Sequence, residues 1–159
     1  MEFLSDGVGD EVLAVHEGLH AIHFRHGAAI EEPGTVAASI LCEGLAVALS
    51  RLLVPGHPDS IYLWFDVEHH GWVQECRNLA SEITRYVSRY LDSTDETPET
   101  AGLLRTRPME GLPSRCGYWL GDQMVTEWIA SGTTPAELLR LPLDQAVERA
   151  REWILAAAD

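Results

Sequence analysis

Apolar residues recur every three or four positions along most of the chain, and nowhere do they settle into a sustained alternation. That is the period of helices buried on one face. Met1 to Gly9 is short, rich in Gly and Asp, and leads into the first such segment. There Val12, Val15, Leu19 and Ile22 form an apolar stripe, with His16, His20 and His23 as a second stripe beside it. No Pro interrupts residues 6–25, Asp10 and Glu11 suit a first turn, and Arg25 and His26 suit a last one. Gly27 can stop the helix. Glu31-Glu32-Pro33-Gly34 is a turn signal, after which Thr35 is a good N-cap for a second helix to about residue 53. Val36, Ile40, Leu41, Leu45, Leu49, Leu52 and Leu53 make that helix apolar around most of its circumference, as befits a central element.

Pro55-Gly56-His57-Pro58 breaks the pattern, and residues 61–66 suit a short helix or an extended piece. Trp72, Cys76, Leu79, Ile83, Val87 and Leu91 again step by three or four, predicting one helix over 68–91 with His69 and His70 exposed at its start. Residues 92–114 are irregular and read as a loop passing over a groove, with Arg105 and Arg107 solvated. A helix follows over 117–130, closed by Ser131-Gly132. Thr134-Pro135-Ala136-Glu137 starts another, with Thr as N-cap, Pro at the first position and Glu at the third. Beyond Leu141-Pro142, residues 144–157 form a last amphipathic helix with Ala146, Val147, Ala150, Trp153 and Ile154 inward. The expected fold is all-α or nearly so: five to seven helices around one core, in a single domain over 1–159.

The first helix carries the candidate chemistry. His16-Glu17-Gly18-Leu19-His20 is an H-E-x-x-H. On a helix the two histidines lie about 40° apart, one turn displaced, and both imidazoles can reach one metal ion. Glu17 falls about 60–100° away, near enough to touch water on that ion without ligating it. In the second helix Glu43 stands amid apolar residues, and a carboxylate there is costly to bury unless paired or bound to a cation. Ligation of the ion held by His16 and His20 accounts for it; a wet groove or an Arg partner is the other explanation. Gly44 beside it costs helix stability by roughly 1 kcal/mol against Ala, which a close helix–helix approach would justify.

Charge and cysteine content narrow the alternatives. With 25 acidic and 11 basic residues the net charge is −14, and no basic cluster stands out to meet a nucleic-acid backbone. Three Cys without paired spacing make neither a disulfide framework nor a thiolate zinc site. The apolar runs are too short, or too broken by Glu, His and Gly, to predict a membrane span. No signal segment opens the sequence, so a soluble cytoplasmic protein is expected.

H-E-G-L-H followed by E-G-L-A resembles the gluzincin metallopeptidases, the thermolysin-like group whose third ligand is a Glu on a following helix. Here 22 residues separate His20 from Glu43, enough to turn back antiparallel. A closer likeness is to uncharacterised predicted zinc-dependent proteases with H-E-x-x-H, E-G-L-A and a late G-Y-x-x-G, here Gly117-Tyr118-Trp119-Leu120-Gly121 after Leu112-Pro113-Ser114-Arg115. The resemblance implies a fold like the helical half of a gluzincin. It implies Zn²⁺ held by His16, His20 and Glu43, Glu17 as general base, Tyr118 as the phenol stabilising an oxyanion, and a peptide or small amide as substrate. Gluzincins commonly carry an acidic residue four after the third ligand; this chain has Val47. Only fifteen residues precede the motif, so the upstream sheet of larger members is expected to be missing or reduced.

Three other readings fit parts of the sequence. His26 stands where metzincins place a third histidine, but on a continuing helix it lies about 240° round from His20. Glu17-x-x-His20 is also the E-x-x-H of helical di-iron oxygenases, which want a second such motif, and none is found. A helical module that binds metal or a partner without turnover is the remaining alternative.

Overall fold

A computed structural model describes Gly7 and residues 9–25 and 34–159. The sequence features at His26, Gly27 and Glu31-Glu32-Pro33 lie outside the described residues. Those residues form nine helices: α1 (Asp10–Arg25), α2 (Val36–Leu53), α3 (Asp59–Trp64), α4 (Trp72–Asn78), α5 (Ala80–Ser88), α6 (Ala101–Leu104), α7 (Cys116–Ala130), α8 (Pro135–Arg140) and α9 (Leu143–Ala158). Among them there is no strand, only isolated bridges between Thr35 and Thr94 and between Met109 and Leu112. The all-α expectation holds: α3 takes the helical option read for 61–66, α4 and α5 divide the helix expected over 68–91, and α6 is a short helix inside the stretch read as a loop.

Helix α2 is the axis. It begins where the Thr35 hydroxyl accepts from the Ala38 N–H at 3.3 Å, and Pro55, two residues past Leu53, cannot continue it. Val36, Ile40, Leu41, Leu45, Val47 and Leu49 are all buried, with α1, α7 and α9 packed around them. By length and composition α2 could cross a membrane, with a mean hydropathy of 1.8, but 78% of it is buried inside the fold. A core helix wrapped by others has the same composition as a span.

Where α2 crosses α7, Gly44 faces Gly121. A Cβ on Gly121 would fall on the Ile40 carbonyl oxygen and 2.8 Å from the Gly44 Cα. Both glycines are there because the two backbones meet with no room for a methyl group, which is the close approach expected of Gly44. The same helices are joined further along. Arg51 of α2 donates two hydrogen bonds to the buried Asp122 of α7, at 3.1 and 3.3 Å, and one to Asp59 of α3 at 2.8 Å.

Two sequence expectations shift. The helix expected over 68–91 starts at Trp72 and is interrupted at Leu79. Asp66 causes the late start: its carboxylate accepts from the Glu68 and His69 N–H groups at 2.9 and 3.1 Å, holding that stretch in a turn. His69 accordingly stacks on Trp64 at 3.8 Å and is half-buried, while His70 is exposed. Helix α1 is also rotated from its predicted facing. Val12, His16, Leu19 and His23 are its buried positions, and Ile22 is 45% exposed. The second histidine stripe, not the full apolar stripe, turns toward α2.

Candidate metal centre

That rotation sets the site. His16 lies at the α1–α2 interface, only 2% exposed, and His20 follows one turn later, half-buried. Glu43 reaches them from the middle of α2. The three side chains converge: His16 Nε2 is 3.1 Å from Glu43 Oε2, His20 Nε2 is 3.4 Å from the same oxygen, and the two Nε2 atoms are 3.1 Å apart. An ion with tetrahedral bonds of 2.0–2.1 Å needs donor atoms about 3.3 Å apart. Two imidazoles and one carboxylate are also the donor set for a borderline ion such as Zn²⁺. Among the described residues this is the cluster of His, Cys, Asp and Glu able to hold a metal.

Glu43 explains its own burial. Burial alone would raise its pKa, but hydrogen bonds and charge from His16 and His20 outweigh that and bring it down to about 2. His20 moves the other way: desolvation lowers it, yet Glu43 and the more distant Glu17 raise it above the usual 6.5. Without metal, the cluster is therefore a stabilising pair over a defined window. The depressed Glu43 contributes above about pH 4.5 and loses this as pH falls toward 2, while the raised His20 contributes below about 6.5 and loses this as pH rises through its raised value. Metal-free wild type should exceed Glu43→Gln in Tm most between about pH 4.5 and 6.5, with the gap narrowing as pH rises through the raised His20 value. Thermal melts in chelator across the pH range measure this, and a gap that does not change with pH would contradict the pairing.

His20 and Glu43 open onto a cleft of about 380 Å³ that Glu17 and Tyr118 of α7 also line. Glu17 is exposed, beside the cluster rather than in it, as its helical offset predicts. Tyr118 stacks at 6.4 Å on His16. Burial and the nearby Glu43 carboxylate push its pKa up, with Arg115 pulling the other way, so the phenol stays protonated and able to donate. All five residues singled out in the sequence thus meet at one place.

The far wall of the cleft was only partly foreseen. The loop over 92–114 does border a groove, through Asp95, Glu96 and Arg105. Arg105 pairs with Glu96 at 3.2 Å rather than standing solvated alone, and Arg107 is exposed. Asp95 is fastened by the Ser39 hydroxyl, which donates at 2.8 Å from α2. His23 and Cys42 lie against each other at 3.8 Å, both buried, with Cys42 also lining the cleft. Burial, with a smaller push from Glu43, raises the Cys42 thiol to about 12, and burial lowers His23, so both are neutral packing partners of the centre.

His16 Nδ1 is buried without a hydrogen-bond partner among the described residues. The acidic helper expected four residues after Glu43 is replaced by Val47, which is fully buried. Two imidazoles and a carboxylate converge, whereas position 47 offers no acceptor to an imidazole N–H. No family model matches the chain, and neither does any curated protein or any solved structure.

Proposed function

We propose that this protein is a zinc-dependent hydrolase of peptide or other small amide bonds. The observation that carries the reading is the convergence of His16, His20 and Glu43 to donor spacings of 3.1–3.4 Å at the edge of a cleft that also holds Glu17 and Tyr118. Bound there, zinc would supply a Lewis acid and lower the pKa of a coordinated water to about 7. Glu17, exposed to the cleft and outside the ligand set, takes the proton from the attacking water and hands it to the leaving amine. Tyr118, kept as a phenol, donates a hydrogen bond to the carbonyl oxygen as it gains negative charge. The resemblance to gluzincins rests on H-E-x-x-H and E-G-L-A, and the closer resemblance to uncharacterised predicted zinc-dependent proteases adds G-Y-x-x-G; both support this reading.

Two observations favour a second reading. The unpartnered His16 Nδ1 and the apolar Val47 suit a module that binds metal for stability without turnover. Metal content separates both readings from a coincidental motif. Protein purified without added metal, then given zinc, should hold one ion per chain, and His16→Ala and Glu43→Ala should each lose it. No zinc in the wild type after addition would remove the hydrolase and the metal module together. Zinc bound with no cleavage of any peptide library would leave the module.

A further inference from the structure

Among the described residues, two that are not glycine hold a positive φ, Phe65 at 60° and Arg115 at 64°. For bulky side chains this is a strained region that Gly would occupy at less cost. Both flank the candidate centre. The Phe65 ring meets the His16 ring edge-on at 5.2 Å, and the Arg115 guanidinium lies 4.1 Å from the centre of the Tyr118 ring. They are also tied together, because Arg115 Nη2 donates to the Leu63 carbonyl at 3.0 Å, two residues before Phe65.

Arg115 is 7% exposed, and among the described residues no carboxylate pairs with it. Its Nε has no hydrogen-bond partner there either. A buried cation without a counter-ion is expensive. What surrounds it is aromatic: Trp64 at 5.0 Å and Tyr118 at 4.1 Å. Packing alone would be served by an apolar residue, and the backbone alone by Gly. Neither would place a positive charge against the one phenol that borders the metal donors.

We infer that Arg115 is a positioning residue for the cleft: held between Trp64 and Tyr118, its guanidinium fixes the phenol beside His16 and strengthens its O–H as donor to the substrate's carbonyl oxygen. This rests on the hydrolase reading for its catalytic consequence, but the placement of Tyr118 stands apart from it. A cation on the ring face withdraws electron density from the phenol, and the guanidinium at 4.1 Å and the near-parallel His16 ring at 6.4 Å limit how the ring can turn.

The test compares Arg115→Met, Arg115→Gly and Arg115→Lys with wild type. Arg115→Gly relieves the backbone, so it keeps the test open if the Met variant fails to fold. The first readout is the Tyr118 ring signal in NMR of tyrosine-labelled, metal-free protein, assigned by its loss in Tyr118→Phe. The second is zinc affinity, and the third is kcat and KM on a fluorogenic peptide that the wild type cleaves. Loss of the guanidinium should shift the Tyr118 signal and lower kcat at least tenfold, with KM and zinc affinity changed less than about twofold; Arg115→Lys should recover part of kcat. An unmoved Tyr118 signal in both the Met and Gly variants would overturn the inference, and so would kcat within twofold of wild type. If the wild type neither binds zinc nor cleaves peptide, the hydrolase reading falls, and the NMR signal alone decides whether Arg115 positions the phenol.

Discussion

Glu17→Gln is expected to keep one zinc per chain and to lose amide hydrolysis by about 10²- to 10⁴-fold, the usual worth of a general acid–base group. Gln preserves the size of the side chain and its place on α1 but cannot accept a proton from water. The ligand cluster is untouched, because the donor atoms belong to His16, His20 and Glu43 and Glu17 is not among them. Its carboxylate is nevertheless close enough to raise both His20 and Tyr118. Glu17, His20 and Tyr118 line the same cleft, so on the proposed reading the Glu17 carboxylate is the group that meets the attacking water there. Zinc content and turnover of the same peptide, measured on the same preparation, check this. Full activity in Glu17→Gln would remove the proposed role; loss of zinc along with activity would show instead that Glu17 helps hold the ion.

The second large effect is one of packing. Gly121→Ala should destabilise the fold by about 3 kcal/mol or more, at or above the upper end for overpacking. The added methyl meets the Ile40 carbonyl oxygen and the Gly44 backbone, not the flexible end of a side chain. Backbone in two long helices cannot step aside without separating α2 from α7. For a chain of this size the loss corresponds to a fall in Tm of roughly 6–12 °C. The same separation would draw Tyr118, on α7, away from Glu43, on α2. Zinc affinity should change little while turnover falls, since His16, His20 and Glu43 lie on α1 and α2 alone. A thermal melt within about 2 °C of wild type would show that the crossing has slack.

Part of this was legible before any fold was known. The three-to-four-residue period, Thr35 as a cap, the Thr134-Pro135-Ala136-Glu137 start and the breaks at Pro55 and Pro142 are local signals. They act through hydrogen bonds and backbone geometry within a few residues. The capping box at α8 forms as written, with Thr134 accepting from the Glu137 N–H at 3.3 Å. The histidine pair was legible for the same reason, because one helical turn alone brings His16 and His20 together. Glu43 stood out because a carboxylate within an apolar helix demands a partner.

Other features depend on how the helices face one another, which no local signal specifies. The apolar stripe of α1 left Ile22 to solvent and turned His16 and His23 inward, since the α1 face is chosen by its fit to α2. The break at Leu79 and the turn at Asp66 appear only where a side chain competes with the helix. Arg51 meets Asp122 across 71 positions, and Arg115 meets Leu63 across 52. In sequence these are ordinary charged residues. The sequence by itself determined most of the long helices, the caps at Thr35 and Thr134, and a histidine pair one turn apart with a carboxylate in want of a partner. Tertiary structure decided that the carboxylate reaches the pair and that a phenol and a strained arginine stand beside it, because contacts between distant segments depend on how whole helices pack.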